Sequence, residues 1–212
     1  MKSVSALLLA LADSRLPTGA HAHSGSMEEA IASGVVVDLD SAEAFLVRKT
    51  KTTSLTGASI AAHLVAGHCD LPGAERIADA RTPSPAARDA SREQGRGLAR
   101  LAKTSWPGFD TTELPHRPHL TTVLGALGRH LGLAPGDVAG LFVYTAMSAA
   151  ATAAQRLLAL DPSLMAAATL RLSALCDETA ERAAEALHEL SDPLGDILAE
   201  RHELRDQALF RS

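Results

Sequence analysis

Aromatic residues are scarce in this chain, which has one Trp, one Tyr and four Phe among its 212 residues. Strands draw on aromatic and β-branched side chains, so this shortage excludes an all-β protein. The residues that are abundant instead are alanine, with 41 copies, and leucine, with 32. Both are among the residues that fit most easily into a helix. The composition therefore predicts an all-α fold.

Cysteine is nearly absent as well, since Cys69 and Cys176 are the only two and have no CxxC spacing. They cannot cross-link a domain of this size or form a zinc or redox motif. Idle thiols of this kind are typical of a reducing compartment, which predicts a cytoplasmic protein. The apolar residues 1–12 are shorter than a usual signal peptide. Residues 138–155 carry no charge, but they are mostly small residues, so we expect a buried helix rather than a membrane span.

An excess of positive charge is also missing, because the formal net charge is −5. The chain therefore has no general attraction to nucleic acid or to anionic lipid. It has no phosphate-binding GxxxxGK[ST] motif, no GxGxxG motif and no GxSxG motif. These absences predict a protein without a catalytic centre, a resident metal or a cofactor.

Prolines that follow a capping residue mark where helices begin, as in Ser84-Pro85, Asp161-Pro162 and Asp192-Pro193. The spacing of apolar residues and breakers predicts no strand and a series of helices. These helices cover residues 3–12, 27–33, 41–66, 73–81, 85–104, 119–131, 136–160, 162–190 and 193–206. Links between them are short, which favours a single domain over 1–212 packed around the apolar helix 136–160. The helix and tail over 193–212 are mostly charged, and we expect the end from 199 onward to add little to the core.

The densest polar segment runs from Asp13 to Gly25 and contains His21 and His23. In an extended loop these two imidazoles point the same way and could chelate a metal with Asp13 as a third ligand. A metal-dependent hydrolase is therefore one alternative, and two ordinary loop histidines are the simpler interpretation. The pentad that begins at His202 lacks the second histidine that a zinc peptidase needs, so we do not interpret it as a metal site.

Four arginines at steps of four, Arg88, Arg92, Arg96 and Arg100, share one side of the helix predicted over 85–104. A nucleic-acid-binding helix is a second alternative, although no aromatic residue interleaves with them. Acidic neighbours could instead neutralise them on a solvated face. A protein partner with an acidic surface also fits, because guanidinium groups pair well with carboxylates at interfaces.

The sequence resembles the UreF family of urease accessory proteins, in its shorter actinobacterial form. Four blocks carry this resemblance, in the family's order and over nearly the whole chain. They are LADSRLPTGAHAHSGSMEEAI at 11–31, PAARDASREQGRGLARL at 85–101, LFVYTAMSAAATAAQRL at 141–157 and SDPLGDILAERHELRDQALFRS at 191–212.

The resemblance implies a helical protein without catalysis of its own. Such a protein forms a homodimer, binds the accessory protein UreD or UreH, and recruits the GTPase UreG to the urease apoprotein for nickel insertion. It also implies that the dimer interface includes Tyr144 and Arg156. The residues that the resemblance assigns to partner binding are Pro17, Gly19, His21, His23, Ser24, Glu28, Arg88, Ser91, Gln94, Gly95, Arg201, His202, Glu203, Phe210 and Arg211.

Overall fold

A computed structural model describes residues 5–16, 23–190, 192–205 and 209–210, and all the regular structure in these ranges is helical. The all-α prediction is therefore confirmed. The helices are α1 (Ala6–Leu11), α2 (Met27–Ala32), α3 (Leu39–Lys49), α4 (Leu55–Val65), α5 (Leu71–Arg81), α6 (Pro85–Ser105), α7 (Leu120–His130), α8 (Pro135–Leu157), α9 (Pro162–Arg171), α10 (Ser173–Glu185) and α11 (Pro193–Glu203). A π-helical turn, Thr50–Ser54, joins α3 to α4 without a break.

The three proline-marked helix starts lie where the sequence predicts them, and each is capped. Ser84 Oγ accepts a hydrogen bond from the Ala87 backbone N–H at 3.0 Å. Asp161 caps α9 in the same way, and Asp192 caps α11. Proline lacks the N–H that the first turn would leave unpaired, so the combination of cap and proline specifies a helix start locally.

Two predicted helices end earlier than expected. The helix predicted over 162–190 is two helices that meet at Leu172, and the second ends at Glu185. The Leu172 N–H still bonds to a carbonyl of α9, so the chain bends there without losing that bond, and both helices pack against α8. The helix predicted over 136–160 stops at Leu157, because Ala159 has a φ of 51°, in the left-handed region that ends an α-helix.

Helix α8 is the centre of the domain, as the sequence predicts. It contacts α1, α2, α3, α4, α7, α9 and α10. Its side chains contribute to two apolar clusters. The first includes residues of α2, α3, α4, α9, α10 and α11, and the second includes residues of α4, α6 and α7. Val138, Val143 and Met147 are fully or almost fully buried. Neighbouring helices do not surround it completely, because Tyr144 and Arg156 lie on an exposed strip.

Length and hydropathy alone would let α8 cross a membrane, and it is the one such helix in the described part of the chain. Half of its most apolar stretch is buried against neighbouring helices. The side that is left open carries polar groups at Tyr144, Thr152 and Arg156. Packing inside this domain therefore accounts for the apolar character of the helix.

Helices α4 and α7 approach each other closely at Gly125 of α7. A β-carbon at this position would lie 2.9 Å from the Ala61 carbonyl oxygen and 2.9 Å from the Leu64 side chain. Real β-carbons essentially never come that close to another heavy atom, so any side chain here would push the two helices apart. The small residue sets the spacing of the layer on which α8 packs.

We expect Gly125→Ala to lower the free energy of unfolding by about 1–3 kcal/mol, because the added methyl group overpacks the contact with α4. Gly136→Ala is the matched control, since a β-carbon at Gly136 meets nothing within 4 Å. That control should raise stability by about 0.4–1 kcal/mol through helix propensity. Urea unfolding of the two variants measures both effects, and equal stabilities would contradict the proposed close contact.

Candidate partner-binding surfaces

The first predicted segment and the last one meet at Glu28, in the first turn of α2. Its carboxylate is 4% exposed and accepts a hydrogen bond from His202 Nε2 at 2.9 Å. The backbone N–H groups of Leu209 and Phe210 donate to the same carboxylate at 2.8 and 2.9 Å. The chain end is therefore tied to α2 by three hydrogen bonds on one side chain.

Burial raises the pKa of Glu28, but the hydrogen bonds from His202, Leu209 and Phe210 outweigh this, so its pKa lies below the ordinary value. The neighbouring Glu29 is also buried and pairs with two arginines from the same end of the chain. Arg201 Nε lies 3.1 Å from one carboxylate oxygen, and Arg205 Nη1 lies 2.9 Å from the other. Sequence reasoning missed Glu29, which is adjacent to the residue that it identified.

The structure corrects the expectation that the end of the chain from residue 199 adds little to the core. Ala199 and His202 are buried, and Phe210 packs against the core cluster around α8. The side chain of His202 faces Glu28 in the interior, whereas Arg201 and Glu203 stay exposed. Only part of this segment is therefore available to a partner in this conformation.

The loop before α2 is described only from His23 onward, so Pro17, Gly19 and His21 lie outside the described residues, as does Arg211. His23 is 6% exposed, and its Nε2 lies 3.9 Å from Glu93 of α6. Within the described ranges, no group of three or more His, Cys, Asp or Glu side chains could hold a metal ion.

The arginines of α6 are largely engaged inside the chain. Arg88 donates to the carbonyl oxygens of Thr82 and Pro83, at 2.6 and 2.9 Å. Arg92 binds Asp79 at 2.6 Å and also reaches Glu75 and a loop carbonyl. Arg96 lies 3.9 Å from Glu93, and Arg100 is exposed. The four arginines therefore divide into two pairs. Arg88 and Arg92 hold α5 and the 106–119 loop against α6, whereas Arg96 and Arg100 lie nearer to solvent.

Ser91 and His119 form a chain of hydrogen bonds that resembles a catalytic triad. His119 Nδ1 lies 3.0 Å from Ser91 Oγ, and His119 Nε2 lies 3.0 Å from Asp79 Oδ1. However, His119 is 1% exposed, and Ser91 Oγ already accepts the N–H of Leu120. Because both groups are engaged within the chain in this way, the arrangement anchors the start of α7.

Gly95 and Gln94 differ in what they contact. A β-carbon at Gly95 would lie 2.1 Å from the Pro118 carbonyl oxygen, so only glycine lets the loop before α7 cross α6 here. Gln94 lines a cleft that also borders Ser91 and His23. Of the α6 residues assigned to partner binding, Ser91 and Gly95 thus have a structural role within the chain.

A partly open strip runs along α8, and α10 borders it at Gly140, which faces Ala180. Its members lie four residues apart, which places them on one face of the helix. They are Gly140, Tyr144, Ser148, Thr152 and Arg156. Of these, all but Tyr144 and Arg156 are small. Tyr144 is 48% exposed. The two residues that the sequence assigns to a dimer interface therefore lie on the same accessible surface.

A second exposed apolar surface, which sequence reasoning missed, lies on α11. Leu194, Ile197 and Leu204 are 38%, 56% and 82% exposed. Ile197 and Leu204 are seven residues apart and share the side of the helix that faces away from the buried Leu198 and His202. Leu194 lies at the edge of this side, one turn before Leu198. These apolar residues can be read from the sequence, but the many charged residues between them make the apolar face hard to recognise.

These features define a helical protein that has two accessible strips of apolar or small residues and whose polar networks hold the chain together. The UreF family profile matches residues 36–175. Urease accessory proteins named UreF are similar over nearly the full length of both chains. One from a Mycobacterium species (strain JLS) is 57% identical over 205 residues, 97% of each chain. Those from Mycobacterium marinum and Mycobacterium tuberculosis (strain H37Rv) are 56% and 54% identical, each over 207 residues and 98% of both chains.

The chain therefore belongs to the UreF family of urease accessory proteins. The resemblance seen in the four sequence blocks is confirmed. The family is one of accessory proteins rather than of enzymes, which agrees with the prediction from the missing catalytic motifs.

We expect Glu28→Gln to lower the free energy of unfolding by about 1–3 kcal/mol at pH 7, because three donors lose a charged acceptor. The folded pKa of Glu28 lies below the unfolded value of about 4.3, so this contribution is fully present above that pH and is lost as the pH falls below it. Unfolding curves of the variant and the parent should therefore differ at pH 7 and converge as the pH falls through the folded pKa of Glu28. Glu203→Gln, at an exposed position, is the control and should unfold like the parent at both pH values.

Removal of residues 209–212 should also destabilise the protein, by about 1–3 kcal/mol, because two bonds to Glu28 and the packing of Phe210 disappear. Leu209→Ser should change stability by less than about 0.5 kcal/mol, since the Leu209 side chain is 79% exposed. Thermal melting distinguishes the two. A truncated chain that melts with the parent would mean that the terminal contacts contribute nothing.

Proposed function

We propose that this chain is the adaptor that assembles the urease maturation complex. It acts as a homodimer, binds the UreD or UreH accessory protein, and recruits the UreG GTPase to the urease apoprotein in the cytoplasm. In that complex it modulates the GTPase and promotes nickel insertion, with nickel as cargo rather than as a resident cofactor. The observation that carries this proposal is the pair of separate accessible strips, one on α8 and one on α11, which neither core cluster covers.

The α8 strip is suited to a second copy of the chain. Its small residues allow two α8 helices to approach closely, and a two-fold contact brings the same strip together from both copies. Gly140 packs beside Ala180 of α10, next to the exposed acids Asp177 and Glu181. In an antiparallel contact centred on Ser148, Arg156 of one copy reaches this acidic end of the other.

The α11 strip is suited to the accessory partner. Leu194, Ile197 and Leu204 present apolar area of the kind that an interface core uses. The exposed Arg201 lies on the same helix and supplies a charged neighbour of the type found in interfaces. Because α11 is fixed to α2 through His202 and Glu28, the strip is held in a defined orientation.

The dimer is tested with Tyr144→Asp combined with Arg156→Asp. Both side chains are exposed in the single chain, so the variant should fold, while four carboxylates brought together across the two-fold contact should weaken the dimer at least about 100-fold. Light scattering measures the mass and circular dichroism checks the fold. Leu170→Asp, at an exposed position on α9, is the control and should stay dimeric. A double variant that remains dimeric contradicts the assignment of α8.

The adaptor role is tested with Ile197→Asp combined with Leu204→Asp. This variant should keep the fold and the dimer but lose co-purification with the UreD or UreH protein, because charges replace the apolar contact area. Urease activation in a reconstituted mixture should fall with it. Retained binding and full activation would show that α11 is not the partner surface, and urease activation without the chain would contradict the proposed function itself.

A further inference from the structure

A cluster of basic and hydroxyl groups lies where α3 passes into the π-helical turn. It borders a cleft of 1680 Å³ whose lining also includes Tyr144 and Arg156 of the α8 strip. Arg48, Lys49, Ser54 and Asp192 are among the residues that line this cleft. The Lys49 ammonium would lie 3.0 Å from a β-carbon at Gly25, and the charges of Arg48 and Asp192 act on it. Neither the dimer strip nor the α11 strip uses the side chains of Arg48, Lys49 and Ser54.

The π-helical turn, Thr50–Ser54, decides which of these side chains lie together. In such a turn the backbone bonds to the residue five positions earlier, as the Leu55 N–H does to the Thr50 carbonyl. Residues five apart therefore stack on one side, which places Ser54 above Lys49. π-Helical turns are rare and frequently occur at functional sites, because they re-aim side chains at the cost of regular geometry.

Arg48 is held rigidly but uses only part of its hydrogen-bonding capacity. Its Nη1 bonds to Asp192, and its guanidinium lies over the Phe45 ring, 4.8 Å from the ring centre. Its Nη2 is buried and has no hydrogen-bond partner. A guanidinium can donate several bonds in a fixed plane, so this nitrogen is an oriented donor without an acceptor.

Ser54 and Lys49 add two further donors without an acceptor. Ser54 is 2% exposed, and its hydroxyl has no hydrogen-bond partner. Across the described ranges, no hydrogen bond or ion pair joins the Lys49 ammonium to another group. Buried polar groups are normally paired, so the unpaired Arg48 Nη2 and Ser54 Oγ need an explanation. The partly exposed ammonium of Lys49 adds a third donor beside Arg48.

The charge balance of the cluster is positive. Arg48 and Lys49 supply two cations, and Asp192 is the carboxylate whose field reaches Lys49. Burial lowers the pKa of Lys49, which Arg48 lowers further and Asp192 only partly offsets. Acids such as Asp196 and Glu181 line other parts of the cleft. Around Lys49 the unpaired donors are complementary to an anion, which would form charge-assisted hydrogen bonds there.

We propose that Arg48 Nη2, Lys49 Nζ and Ser54 Oγ form a binding site for a small oxyanion of the phosphate or hydrogencarbonate class. Such an anion carries several acceptor oxygens on one small centre, so it can satisfy donors from three side chains at once. Its negative charge balances the surplus cation beside Asp192. Access runs through the cleft, since Lys49 retains part of its exposed surface. The site is independent of the proposed adaptor role.

The test is a titration of the full-length protein, by calorimetry or NMR, with sodium phosphate and separately with sodium hydrogencarbonate at constant ionic strength set with chloride. We expect saturable binding of at least one of the two, and the comparison identifies which anion the site prefers. Lys49→Met should weaken it at least tenfold, which corresponds to about 1.4 kcal/mol. Lys51→Met is the matched control, because Lys51 lies in the same turn but is exposed, and it should bind like the parent.

Ser54→Ala provides a second arm, since it removes one hydroxyl and leaves the charges in place. It should weaken binding severalfold without changing the thermal melt in the absence of anion, because the hydroxyl has no partner to lose. Three results would overturn the proposal: no saturation by either anion in the parent, equal affinity in Lys49→Met and the parent, or equal losses in Lys49→Met and Lys51→Met. The last would indicate general charge screening rather than a site.

Discussion

The close approach of α4, α7 and α8 is the constraint on which the rest of the domain depends. It requires a residue without a side chain at Gly125, where even a methyl group would meet the backbone of α4. With that spacing fixed, α8 can bury residues such as Val138 and Met147 toward two separate apolar clusters. Every other helix then packs on this central layer or on a neighbour of it, and the side of α8 that they leave least covered becomes the partly open strip.

Ionic and hydrogen-bonded contacts do a different task from the apolar core, since they fix segments that are remote in sequence. Glu28 and Glu29 hold the end of the chain on α2, and Asp79 with Glu75 holds α5 and the loop before α7 against α6. Isolated buried carboxylates would be costly, but the buried Glu28 and Glu29 each receive several donors. The polar groups that remain without partners are therefore conspicuous, as at Arg48 and Ser54.

Membership of the UreF family explains why so much of the polar chemistry is structural. An accessory protein needs surfaces in a fixed orientation rather than a reactive centre, and the triad-like group at His119 is buried in a way that suits anchoring. The proposed division of labour assigns α8 to the second copy and α11 to the accessory partner. Both helices are attached to the same core, so a change in one interface can reach the other only through packed helices.

Local signals determined much of this structure in advance. The alanine and leucine content specifies helices, and the cap and proline pairs at Ser84, Asp161 and Asp192 place three helix starts correctly, because capping depends on neighbouring residues alone. The blocks at 11–31 and 191–212 carry the family resemblance, but neither block indicates that His202 pairs with Glu28. Likewise, arginine spacing on α6 could not reveal that Arg92 would bind Asp79 of α5. Such pairings join residues far apart in the chain, so only the tertiary structure decides which charges are consumed internally and which surfaces stay open.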